Sequence, residues 1–291
     1  MKIYQRMTQL LALSLSVSLL WETPIPAQPS LITQVSPLQT NQAILPELSK
    51  ARVIYLGETH DNLADHQAQL QIIQALYQPH RKIAIALEMF QRPFQGVIND
   101  YLAGKLNEKE LINQTEYEKR WGFPWEYYAP ILRFAKDKQL PVLALNTPSE
   151  ITRKVARQGL ESLTPEEKKA IPPLSEIRTD NPQYRQMLLK IFEQHQHGGQ
   201  GKSKGFDRFF LAQVLWDETM AETIANFLKT HPDYQVIVLA GRGHIVYGYG
   251  IPSRVQRRFG TEKIISRSVL FPTPDDTTLD RQNIADFFWN F

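Results

Sequence analysis

The chain has 291 residues, 42% of them hydrophobic and 22% charged, with a formal net charge of +3 and no cysteine. That is enough apolar residue for one sizeable core or two small ones, and the near-neutral balance gives no reason to expect nucleic acid as a partner. The absence of cysteine excludes disulfides, thiolate metal sites, iron–sulfur clusters, cysteine nucleophiles and an acylated cysteine tether.

The first 27 residues read as an export signal. Lys2 and Arg6 give a positive start, Leu10 to Trp21 gives a short apolar stretch, and Ala27 offers a small residue at a cleavage point. The apolar run is shorter than the ~20 residues of a spanning helix, which favours a cleaved signal. Left uncleaved, it would hold the protein at a membrane. The expected location is therefore exported, in the periplasm or otherwise outside the cytoplasm. Residues 28–45, rich in Pro, Ser, Thr and Gln, read as a flexible lead-in. A single α/β domain is expected over 46–271, followed by a tail over 272–291 whose aromatics at Phe287, Phe288, Trp289 and Phe291 dock it.

Within the domain, four short aliphatic runs predict strands buried on both faces: Arg52–Gly57, Lys82–Glu88, Leu140–Leu145 and Tyr234–Ala240. A fifth, more polar run at Lys263–Leu270 predicts an edge strand. Between them, helical periodicity covers Asp61–Tyr77, Tyr127–Lys138, Pro148–Gly159 and Asp207–Lys229. The alternation predicts a parallel or mostly parallel central sheet with helices on both faces. Phe90–Trp125 and Thr164–Gly205 are longer than crossovers require and predict helical insertions, with a mobile polar loop over His195–Gly205. His195 and His197 in that loop suggest a metal-scavenging tract only weakly.

Two turns stand out, Gly57-Glu58-Thr59-His60 after the first strand and Gly241-Arg242-Gly243-His244 after the fourth. In open α/β sheets ligands lie beyond the carboxyl ends of the strands. That topology would gather Glu58, His60, Glu88, Asn146 and His244 in one neighbourhood. Each also has a plainer reading: Glu58 as a helix cap, the histidines as satisfied loop residues. Glu88 is the hardest to dismiss, because a carboxylate beside an apolar strand needs a partner or a metal. Asp217, on the long helix, could orient a histidine. Beyond the second turn, Tyr247, Tyr249 and Arg254 suggest another chemistry: tyrosine is a haem-iron ligand type, and arginine pairs with carboxylates such as haem propionates. The aromatics Trp121, Trp125, Tyr127 and Tyr128 could flank a flat ligand, although core or dimer packing explains them as well.

Five separated motifs together resemble the ChaN-like haem-binding family of the Tiki superfamily. They are GETHDN at Gly57–Asn62, ALEMFQRPFQ at Ala86–Gln95, Trp125 with Tyr128 and Pro130, QVLWDETMA at Gln213–Ala221, and AGRGHIVYGYGIPSR at Ala240–Arg254. The resemblance implies haem as ligand, iron held by a tyrosine (Tyr247 and Tyr249 being the proposals), Arg254 beside it, and a homodimer with haem at its interface. It also implies a role in haem or iron uptake, transport or storage, with an outer-membrane or transport partner. The wider superfamily includes metal-dependent proteases and esterase-like enzymes. That gives the alternative of a metal-dependent hydrolase, with Glu58, His60, Glu88 and His244 catalytic and holding a divalent metal ion.

Overall fold

The computed structural model describes residues 40–78, 81–195, 202–273 and 284–291. The expected signal peptide, most of the lead-in, His197 and part of the tail lie outside them. Six strands form one sheet: β1 (Val53–Glu58), β2 (Ile83–Gln91), β3 (Val142–Asn146), β4 (Gln235–Gly241), β5 (Ser266–Leu270) and β6 (Phe287–Phe288). Their spatial order is β3-β2-β4-β1-β5-β6, and every pairing is parallel. The α/β class with a parallel sheet is therefore the observed one.

Successive side chains of a strand point to opposite faces, so each face needs its own cover. On one face, Ile54, Leu56, Ile85, Leu87, Ile237 and Leu239 pack against α1 (Asn41–Lys50), α2 (Leu63–Leu76) and a helical insertion. That insertion comprises α3 (Gln95–Leu102), α4 (Glu108–Gln114), α5 (Tyr117–Arg120) and α6 (Trp125–Asp137). After β3 come α7 (Ser149–Gln158), α8 (Pro165–Lys168) and α9 (Pro182–His195), then the long α10 (Lys202–Thr230) and the short α11 (Ile251–Arg258). On the second face, Val53, Tyr55, Ala86, Val236 and Val238 meet Met220 and Ile224 of α10 and Ile251 and Val255 of α11.

Three expectations are corrected. Helix α1 starts at Asn41, inside the expected lead-in, because Ile44 and Leu48 are needed to cover the first face. Helix α10 starts at Lys202, inside the expected polar loop. Strand β5 is not an edge: the aromatic tail adds β6 beside it, Trp289 is buried, and Asn41 and Asn290 exchange two hydrogen bonds of 2.6 and 3.0 Å. Its polar residues reflect a thinly covered flank, not an open edge. Among the described residues no helix is long and apolar enough to cross a membrane.

Candidate functional site

Strands β1, β2 and β4 are neighbours at the middle of the sheet, and their carboxyl ends carry the chemistry. Glu58, the last residue of β1, pairs in register with Gly241, the last of β4. Beyond Leu87 the register of β2 against β3 shifts, and within that irregular stretch Glu88 reaches across to accept the Gly241 backbone N–H at 2.7 Å. Gly241 has to be glycine. A Cβ there would stand 2.8 Å from His60 Nε2, so the imidazole occupies the space a side chain would fill.

Glu58, His60, Glu88 and His244 are thus brought together, all nearly sealed from solvent. They form two hydrogen-bonded units. In the first, Glu58 Oε1 lies 2.8 Å from His60 Nδ1 and accepts the Tyr128 hydroxyl at 2.5 Å, while Oε2 accepts the Gln69 amide at 2.7 Å. His66 sits 3.7 Å from the same carboxylate. Burial pushes the Glu58 pKa up, but His66, His60 and the Tyr128 hydroxyl outweigh it and hold the group down at about 2. Its partner His60 is shifted upward: burial opposes the charge, and Glu58 and Glu88 overcome it. Trp121 and Phe123 close over the His60 ring at centroid distances of 4.8 and 5.0 Å.

In the second unit, His244 Nδ1 lies 2.6 Å from Asp217 Oδ1, and Nε2 lies 3.4 Å from Glu88 Oε1. Asp217 Oδ2 accepts the Tyr184 hydroxyl at 2.6 Å. Burial again disfavours the charged ring, yet Glu88 and Asp217 raise the His244 pKa to about 10. Each ring nitrogen thus has a carboxylate beside it, which favours the charged ring.

This arrangement corrects one reading and leaves another without support. Glu58 does not cap α2, since Asn62 accepts from Ala64 N at 3.0 Å and Asp65 accepts from Thr59 N at 2.8 Å. The divalent-metal reading for His60, His244, Glu58 and Glu88 gains no support from the geometry. The four engage one another in pairs, and among the described residues no group of three or more His, Asp or Glu is arranged to hold an ion. Asn146 stays local, its Oδ1 accepting from Thr147 N at 2.8 Å.

The loop after β4 carries the other candidates. Gly250 is folded so closely on the His244 carbonyl that any Cβ would collide with it. Arg254, 3% exposed, donates to the carbonyls of Tyr249 and Gly250 at 2.6 and 3.0 Å and lies 3.2 Å from the buried Glu218. Its guanidinium stacks over Tyr184 at 5.2 Å. It is committed to locking the loop and is not placed to meet a propionate, which corrects that assignment. The locked loop presents Tyr247 and Tyr249, half-buried and stacked at 5.3 Å. Tyr247 holds a left-handed backbone (φ 57°), uncommon for a bulky residue. The Tyr249 hydroxyl makes no hydrogen bond among the described residues.

Sequence reasoning missed Tyr184, His66, Gln69 and Gln213, whose side chain lies 3.1 Å from His244 Nδ1. His66 and Gln69 had a signal, three residues apart on one helix face just past the first turn. Gln213 and Asp217 share a face at a spacing of four. Tyr184 had none, since it lies in the insertion between β3 and α10.

Comparison with known proteins bears on the family and the fold. The family described as haem-binding uptake, Tiki superfamily, ChaN, matches residues 44–255. A solved structure of cofacial haem binding to ChaN of Campylobacter jejuni is 20% identical with a TM-score of 0.67, covering 85% of this chain and 90% of that one. An erythromycin esterase, EreC in its open conformation, is 15% identical at a TM-score of 0.47, covering 79% and 72%, too distant to carry an argument. Among curated proteins, the chloroplastic RETICULATA-RELATED 5 of Arabidopsis thaliana is 26% identical over 260 residues, or 84% of this chain. The chain spans about a third of that relative's length (34%). The chain belongs to the ChaN haem-binding uptake family of the Tiki superfamily.

Proposed function

We propose that this protein binds haem and that Tyr249 is its iron ligand. The observation that carries this is the Tyr249 phenol itself: half-buried, without a hydrogen bond among the described residues, and fixed by a loop whose backbone is clamped by Arg254 and His244. A phenolate is one of the few side-chain ligands that hold haem iron. Tyr247, stacked on Tyr249, would flank the ring. The buried pairs beneath, Asp217–His244–Glu88 and Glu58–His60, act as the rigid base of the loop.

The hydrolase alternative has less support, because it needs neutral histidines with free lone pairs and a route for substrate to a cluster sealed by Trp121 and Phe123. A second copy presenting the same loop would bring two haems face to face, as the Campylobacter ChaN structure describes for its own haem. The positive, apolar N-terminus supports export, and with it a role in haem or iron uptake outside the cytoplasm through an outer-membrane or transport partner. Titrating haem into the purified protein tests the reading. It predicts saturable binding with the high-spin ferric spectrum of phenolate ligation, whereas a histidine-type low-spin spectrum would contradict it.

A further inference from the structure

We propose that a cavity on the far side of Tyr247 binds a small organic ammonium ion. The inference does not depend on haem. The cavity has a volume of about 520 Å³ and lies between β5, the loop after β4 and the start of α11, with Tyr55 and Pro252 among its lining residues. That size suits a small molecule.

Its origin is visible in the strand register. Ser266 and Ser268 of β5 stand opposite Val53 and Tyr55 of β1, and residues in register on parallel strands share a face. On β1 and β4 that face is filled by Val53, Val236 and Val238 packed under helices. On β5 the same positions are short hydroxyl residues, so the space above them is not filled. Packing alone would favour branched aliphatics there.

The polar groups around this space are incompletely used. Tyr55 is only 1% exposed, yet its hydroxyl makes no hydrogen bond among the described residues, and neither does the Ser266 hydroxyl. A ligand atom in the cavity would give the Tyr55 hydroxyl a hydrogen-bond partner. Burial pushes the Tyr55 phenol pKa up, so the hydroxyl stays neutral and can both donate and accept.

Charge selects the class of ligand. Asp286, which lines the cavity, accepts from Ser268 N and Ser268 Oγ through Oδ2, both at 2.7 Å, so Oδ1 takes no part in these bonds. Among the described residues, no lysine, arginine or histidine lines the cavity. A carboxylate, three hydroxyl-bearing side chains and the face of Tyr247 are the recognition set for an ammonium group. The same wall repels a carboxylate, so a haem propionate does not suit it.

The test titrates the full chain with choline and putrescine, using glycerol and succinate as neutral and anionic controls, followed by calorimetry and saturation-transfer NMR. At least one ammonium compound should bind with Kd below about 1 mM and at least ~10-fold more tightly than either control. Asp286→Asn, which keeps the hydrogen bonds to Ser268, should weaken binding about tenfold. Tyr55→Phe should also weaken it without lowering the melting temperature, and Ser266→Leu should abolish it by filling the space. The proposal is overturned if neither ammonium compound binds, if the controls bind equally well, or if Asp286→Asn and Tyr55→Phe both bind as the parent does.

Discussion

His244 and Asp217 face each other at 2.6 Å between Nδ1 and Oδ1, both withdrawn from solvent, and this pair ties the loop after β4 to the long helix α10. Their relationship is one of ion pairing in a dry setting, where removing one partner leaves the other charge uncompensated. Asp217→Asn should therefore lower the unfolding free energy by about 3–5 kcal/mol. Tyr184→Phe removes only the 2.6 Å hydroxyl bond to Asp217 and should cost about 1–3 kcal/mol. Urea denaturation of the two variants checks the ranking, and equal losses would show that Asp217 is not paired as described.

The shifted groups give the stability a defined pH window. Glu58 falls from an ordinary 4.5 to about 2, so its contribution is complete above 4.5 and is lost as the pH drops from there toward 2. His244 rises from 6.5 to about 10, so its contribution is complete below 6.5 and is lost as the pH climbs through 10. Both are fully present together between about 4.5 and 6.5. The melting temperature should peak in that interval and fall on either side. Glu58→Gln should flatten the acid limb of the profile and leave the alkaline limb in place.

Arg254 separates a structural from a ligand-binding arginine. Its guanidinium fork holds two loop carbonyls and a buried carboxylate, a geometry that lysine does not reproduce. Arg254→Lys should lower stability by about 2–4 kcal/mol and weaken haem binding as a consequence of loosening Tyr249. A variant of parental stability that has lost only haem affinity would restore the propionate assignment.

Much of the frame was legible because strands covered on both faces write continuous aliphatic runs. The four so written became β1 to β4. The convergence of Glu58, His60, Glu88 and His244 also followed from placing each at the carboxyl end of a parallel strand. What those residues do to one another was not legible. That His244 lies between two carboxylates depends on the crossing of α10 over β4, a contact between residues 27 apart in sequence, and on the β2 irregularity that redirects Glu88. Arg254 beside two tyrosines looked like an anion binder because sequence does not reveal that Glu218, on another helix, had already claimed it. Strand β5 was misread as an edge because two residues of the tail, Phe287 and Phe288, suffice to cover it.

The account stands most directly on one comparison of haem spectra, between Tyr249→Phe and Tyr247→Phe. Both substitutions keep the stacked rings and remove one hydroxyl, and a melting curve of each variant reads any effect on the fold separately. Tyr249→Phe should lose the phenolate-ligated high-spin ferric spectrum and weaken haem binding by at least ~10-fold, while Tyr247→Phe should keep the spectrum. A Tyr249→Phe protein with the parental spectrum and affinity would contradict the account, and loss confined to Tyr247→Phe would move the iron to the other ring.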